Sequence, residues 1–295
     1  MFRAQFQEPV SQMDNEFVLQ MRCADQPGIL ARITGFLYER SGDVRDAAQF
    51  GDASTGLFFV RIHFRLTNGG SVAELRKDFG DYARSFGLDW SIRRWERRLP
   101  VMIAVSKAGH CLNDLLHRWK IGALPIRIMG VISNHETMRP LVEWHDLPFH
   151  YLPVDPDHRA KQEAAMLRLF EDSGSELLVL ARYMQVLSSD LCTALNGRCI
   201  NIHHSFLPSF KGARPYHRAH DLGVKLIGAT AHYVTPDLDE GPIIEQDVRR
   251  VTHAHSPDDL VAIGRETEAS VLARAVKWHA ERRIMLNGRK TVVFN

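Results

Sequence analysis

The rhythm of hydrophobic and polar positions changes about a third of the way along the chain. In "FVLQMRCA" (17–24) apolar and polar residues alternate as on a half-buried strand. "DQPG" (25–28) breaks the alternation, and Ile29, Ile33, Phe36 and Leu37 then recur at helical spacing. Strand-like segments follow around 44–51 and at "LFFVRIHFRL" (57–66). A second amphipathic stretch covers 72–87, and "LDWSIRRWE" (88–96) reads as a last strand. The order β-α-β-β-α-β is that of a ferredoxin-like unit and predicts an independent domain over 15–98.

From 99 onward, continuous apolar runs replace alternation: "VMIAVS", "IRIMGVIS", "FHYLPV", "ELLVLA" and "CINIHHS". Runs of this type are strands buried on both faces, as in the parallel sheet of an α/β domain. Helical patterns lie between them near 109–119, 136–145, 158–172 and 189–196. Ser256 followed by Pro257 is an N-cap with proline at the first helical position, and it opens a long helix to about 283. The fold class is therefore α/β, with a second domain over 99–295 built on a mostly parallel sheet.

Composition narrows the function classes. The chain has 295 residues and a formal net charge of +2, so neither nucleic acid nor an anionic membrane is demanded as a partner. The basic cluster Arg93, Arg94, Arg97 and Arg98 is interleaved with Trp95 and Glu96, as on a solvated surface, a linker or a subunit contact. Four scattered cysteines form no CxxC pair, which argues against zinc ribbons and redox motifs. No apolar run reaches membrane-spanning length, and the first residues lack a signal-peptide core. The expectation is a reduced, cytoplasmic protein.

The candidate chemistry starts at "CINIHHS" (199–205). Side chains alternate across a strand, so Ile200 and Ile202 face the core while Asn201 and His203 share the other face. His204 is expected to turn away from His203 and to be structural. Leu207-Pro208 and Lys211-Gly212 are expected to turn the chain outward. Carboxyl ends of parallel strands are where open α/β folds bind ligands. Downstream, Thr230 and His232 share a face of the next strand, and the loop 235–242 delivers Asp239 toward Asn201 and His203. No Ser or Cys stands in a nucleophile elbow. An Asn, a His and an Asp without such a nucleophile suit direct attack on a carbonyl: Asn201 and His203 donate to the oxyanion, and Asp239 holds the imidazole or moves a proton. His203, His204 and His232 lack a carboxylate or Cys at ligand spacing, so no metal is expected.

Two family resemblances rest on these residues. The β-α-β-β-α-β order with "CADQPGILARITGFL" resembles an ACT domain. The resemblance implies an effector loop at Asp25, Gln26, Pro27 and Gly28, where amide groups at a helix N-terminus can receive the carboxylate of an amino acid. Assembly of a dimer or tetramer is the alternative role. "NIHHSFLPSFKG" followed by "GATAHYVTPDLDEGPII" resembles the folate-dependent formyltransferases, whose fold is Rossmann-like. That resemblance implies a catalytic set of Asn201, His203 and Asp239, with His232 and Thr230 behind it. It also implies a pteridine-binding stretch at Met184, Gln185, Val186 and Leu187 within "LARYMQVLS".

One departure matters. Where glycinamide ribonucleotide transformylases carry a Gly-rich phosphate loop, this chain reads "AVSKAGHCLNDLLHRW" (104–119), with Lys107 and His110 as residues of the substrate cleft. A phosphorylated amine acceptor fits such a loop poorly. An ACT domain joined to this second domain resembles the formyltetrahydrofolate deformylases. The resemblance implies hydrolysis of 10-formyltetrahydrofolate to tetrahydrofolate and formate, with no tightly bound cofactor and no metal. The alternative is formyl transfer to a nonphosphorylated amine.

Overall fold

The computed structural model describes residues 15–68, 71–84, 87–207 and 215–295. The chain divides into two compact units, with the division at Arg97 and Arg98. The predicted turn at Pro208, Lys211 and Gly212 lies outside the described residues.

The first unit contains β1 (Glu16–Ala24), α1 (Ile29–Glu39), β2 (Gly42–Asp52), β3 (Leu57–Leu66), α2 (Val72–Arg84) and β4 (Asp89–Arg94). Its strands form one antiparallel sheet in the order β2-β3-β1-β4, the ferredoxin-like arrangement expected from the element order. Alternation sends Phe17, Leu19 and Met21 of β1 to one face. There they meet Ile33, Phe36 and Leu37 of α1 and Leu75 and Phe79 of α2 in a single core. Gly28 caps α1 at φ 84, a left-handed conformation that costs glycine nothing.

The second unit runs β5 (Leu99–Val105), α3 (His110–Lys120), β6 (Ile126–Ser133), α4 (Arg139–Trp144), β7 (Phe149–Tyr151), α5 (Arg159–Asp172), β8 (Leu177–Leu180), α6 (Ser189–Ala194) and β9 (Cys199–His203). It continues with α7 (Pro215–Asp221), β10 (Leu226–Tyr233), β11 (Ile243–Arg250), α8 (Pro257–Ala280), β12 (Ile284–Asn287) and β13 (Lys290–Val293). The main sheet has the order β11-β10-β9-β8-β5-β6-β7. The pairs from β9 through β7 are parallel, while β10 is antiparallel to both β9 and β11.

The continuous apolar run of β5 follows from cover on both faces. Val101, Ile103 and Val105 pack with α3 and α8, including Leu112, Leu115, Val271 and Leu272. Met102 and Ala104 pack on the opposite face with Met166 and Phe170 of α5 and Leu191 of α6. Each fully buried Leu or Phe contributes about 1.5–3 kcal/mol of transfer free energy. The Ser256 cap forms as expected: its side chain accepts from Asp259 N, while the Asp259 carboxylate accepts from Ser256 N at 2.8 Å.

Two expectations are corrected, and one element is new. The segment 149–154 stays a strand only to Tyr151, because Pro153 has no N–H for a ladder. The helix predicted over 136–145 is a single 3-10 turn (Glu136–Met138) leading into the short α4. The hairpin β12–β13 was not predicted. No helix among the described residues is long and apolar enough to cross a membrane.

Candidate active site

A cavity of about 360 Å³ opens beside the carboxyl end of β9. Asn201 and His203, two residues apart on that strand, both line it, as strand alternation requires. Ile200 and Ile202 point the other way into the core. On β10, His232 pairs opposite Asn201 and Thr230 opposite His203.

The loop after β10 brings the carboxylate. Asp239 has φ 58, a left-handed conformation that Asp tolerates better than most residues. Nearby, Gly241 comes so close to the strand end that a Cβ there would lie 1.7 Å from the Tyr233 carbonyl oxygen. Asp239 Oδ1 thus sits 3.3 Å from His203 Nδ1 and 3.7 Å from His232 Nε2. Burial opposes ionisation of this carboxyl, but hydrogen bonding and charge from the two imidazoles outweigh it and hold the group well below the usual carboxylate range.

The contacts of His232 orient Asn201. His232 Nδ1 donates to the Tyr233 carbonyl at 2.9 Å, and its other ring nitrogen, Nε2, faces Asn201 and Asp239. Asn201 Nδ2 donates to that nitrogen at 3.3 Å. The second N–H of the same amide group remains for a ligand in the cavity. His203 Nε2 is buried and has no hydrogen-bond partner among the described residues. With Nδ1 turned to Asp239, this free nitrogen is the position from which His203 can reach a substrate.

Met184, Gln185, Val186 and Leu187 all line the cavity. Met184 and Val186 are more than half exposed, an apolar surface suited to a flat ring. The stretch is pinned through its backbone: Met184 N donates to Ser106 Oγ at 2.9 Å, and the Val186 carbonyl accepts from Arg159. Ser106 Oγ in turn donates to Asn134 Oδ1 at 2.7 Å.

Other predicted residues lie elsewhere. Thr230 is fully buried; its hydroxyl donates to the Ser205 carbonyl at 2.9 Å and accepts from Leu207 N at 3.1 Å. It therefore fixes the exit of β9 rather than lining the cavity. Lys107 is exposed, and neither it nor His110 lines the cavity. His110 Nε2 is instead 2.7 Å from Glu268 Oε2. In the first unit, 25–28 is exposed, and Asp25 N donates to the Gly56 carbonyl at 2.8 Å.

His204 does not turn away from His203. Their rings stack with centroids 4.7 Å apart, and His204 lines the cavity. Regular strand ends at His203, so alternation no longer governs the next residue. Burial, together with Arg182 and His203, pushes the His204 pKa down to about 4, so the ring is neutral at neutral pH. Arg182 also lines the cavity and was not singled out from the sequence, although it lies within "LARYMQVLS". Behind it, Glu268 accepts from Tyr216 Oη at 2.6 Å. His110, Cys111 and Glu268 bring three potential metal-ligand atoms within 4.8 Å of one another. Arg182, 3.4 Å from Glu268, already supplies positive charge there, and burial pushes the Cys111 thiol well up, away from the thiolate a metal needs.

Comparison with known proteins agrees with this architecture. Residues 99–276 match the formyl transferase family and residues 17–80 the ACT domain. A formyltetrahydrofolate deformylase of Corynebacterium sp. is 48% identical over 277 residues, covering 94% of this chain and 97% of the relative. The crystal structure of formyltetrahydrofolate deformylase from Burkholderia mallei is 51% identical, with a TM-score of 0.92 over 95% of this chain and 100% of that one. Glycinamide ribonucleotide transformylase 1 from Symbiobacterium toebii is 28% identical, with a TM-score of 0.63 over 68% of this chain and 95% of that one. With two domains of these families and relatives of this identity over nearly its whole length, the chain belongs to the formyltetrahydrofolate deformylase family.

Proposed function

We propose that this protein hydrolyses 10-formyltetrahydrofolate to tetrahydrofolate and formate, with Asn201, His203 and Asp239 as the catalytic residues. The observation that carries the reading is the buried, unpartnered His203 Nε2 beside Asn201 in one cavity, with Asp239 3.3 Å behind the imidazole. The pterin lies against 184–187, and the formyl group reaches the end of β9.

A carboxylate held well below its usual pKa is a weak base. Asp239 is therefore assigned to anchoring His203 and stabilising its charged form. His203 takes a proton from water through Nε2 as the water oxygen bonds to the formyl carbon. The carbonyl oxygen gains negative charge and is met by the free N–H of Asn201. His203 then delivers its proton to nitrogen-10, the C–N10 bond breaks, and tetrahydrofolate leaves with formic acid, which gives its remaining proton to solvent as formate. Oxidation states do not change. His232 and Thr230 act behind the site, one orienting the Asn201 amide and the other fixing the end of β9.

In the first unit, Asp25, Gln26, Pro27 and Gly28 are proposed to form an amino-acid effector loop at the N-terminus of α1, in an assembly of two or four copies. A calorimetric titration with amino acids that gives no heat removes the effector role and leaves assembly. A cytoplasmic location fits four free, buried cysteines.

The test is to incubate the protein with 10-formyltetrahydrofolate without any amine. Formate and tetrahydrofolate are expected in equal amounts. If the formyl group moves only when an amine is supplied, the protein is a transferase instead.

A further inference from the structure

In a doubly wound sheet, the ligand crevice lies where the strand order reverses. Here the chain passes from β5 to β6 and β7 on one side, then crosses to β8 and β9 on the other, so the reversal falls between β5 and β8. His110 is the first residue of α3, which follows β5, and Arg182 is the second residue after β8. Both side chains meet the same carboxylate. Glu268 of α8 is 1% exposed. Its Oε2 accepts from His110 Nε2 at 2.7 Å and lies 3.4 Å from Arg182 Nε, while Oε1 accepts from Tyr216 Oη of α7 at 2.6 Å. Four elements thus converge on one buried charge at the place where the fold leaves room for a ligand.

Arg182 is the member of this cluster, with His204 stacked nearby on His203, that reaches the catalytic cavity. Its backbone has φ 65, a conformation glycine adopts freely and an L-residue adopts at a cost. A long side chain kept at such a position points to a use for that side chain. Its guanidinium is permanently charged, and the residue lines the same cavity as Asn201 and His203. An incoming amine is bulkier than water and needs room that the Arg182 side chain takes up, whereas water does not.

We infer that the Arg182–Glu268–His110–Tyr216 cluster plugs the acceptor half of the switch-point crevice, so that water is the sole acceptor of the formyl group. This rests on the reading of the cavity as a site of formyl hydrolysis and adds what excludes the competing reaction. If an amine were admitted, its nitrogen lone pair would bond to the formyl carbon and the C–N10 bond would break. Nitrogen-10 would gain a proton and the amine nitrogen would lose one, giving a formamide and tetrahydrofolate without redox change.

The test compares the wild type, Arg182→Gly, and the double variant Arg182→Gly with Glu268→Gln. The double variant removes both charges together, so that no unpaired carboxylate is left buried. Each protein is shown to be folded by its thermal melt, then given 10-formyltetrahydrofolate and a small primary amine, glycinamide. The readout is the ratio of formylglycinamide to formate after subtraction of the enzyme-free reaction. The wild type is expected to give formate at a yield independent of glycinamide. In the variants the ratio is expected to rise by roughly tenfold or more. An unchanged ratio in both folded variants overturns the plug. So does loss of both products in a folded variant, which would place Arg182 in the chemistry, and so does a wild type that already formylates the amine. A wild type that releases no formate without amine refutes the hydrolytic reading itself and is told apart by that control.

Discussion

Replacing Asp239 by Asn removes a charge and keeps the size of the side chain. The carboxylate oxygen is 3.3 Å from His203 Nδ1, and both side chains are largely buried. If His203 carries a proton in the transition state, an ion pair at that distance is worth about 5 kcal/mol at an effective dielectric constant of about 20. The amide dipole of Asn recovers part of this, so a net loss of about 3–5 kcal/mol is expected, or about 10²–10⁴ in kcat. KM should change little, because the 184–187 stretch that would hold the pterin does not touch the substituted group. The assay is steady-state formate release, with a thermal melt to confirm folding. A kcat within a few-fold of wild type would refute the idea that this carboxylate acts through the imidazole.

Asn201→Ala and His203→Ala should each give a folded protein with turnover reduced on the order of a hundred-fold or more, measured as formate release. The Asp239 pKa is depressed in the folded state, so its stabilising contribution is fully present above the unfolded value of about 3.9 and is lost as pH falls through the lower folded value. The stability difference between wild type and Asp239→Asn in urea should therefore shrink as pH falls below about 4. Gly241→Ala forces a Cβ onto the Tyr233 carbonyl, so the 235–241 loop must shift; activity should fall together with about 1–3 kcal/mol of stability. Ser256→Ala removes the capping box of α8 and should cost about 1 kcal/mol in denaturant with little change in kcat.

Much of the fold was legible because local pattern and tertiary burial agree. The alternation of 17–24 and the continuous run of 99–105 correspond to a sheet covered on one face and a sheet covered on both. The Asn201–His203 juxtaposition followed from strand period alone, since β9 is regular to His203. One residue later the same rule failed, and the stacking of His204 on His203 was missed. The hairpin β12–β13 is short, yet Gly288 at φ 60 in a two-residue loop after Asn287 is a turn signal that was available. The Arg182–Glu268 contact had no local signal. A charged residue in a helix normally reads as solvent-facing, and Glu268 is buried because α3 and α7 each contribute a hydrogen-bond donor and the loop after β8 a positive charge.

The most direct measurement is a crystal structure with a folate analogue that carries a formyl group resistant to hydrolysis. The account predicts the pterin against 184–187 and the formyl oxygen within hydrogen-bond reach of Asn201 Nδ2, with His203 Nε2 facing the reacting carbon. A formyl group bound away from the end of β9, touching neither nitrogen, would contradict it.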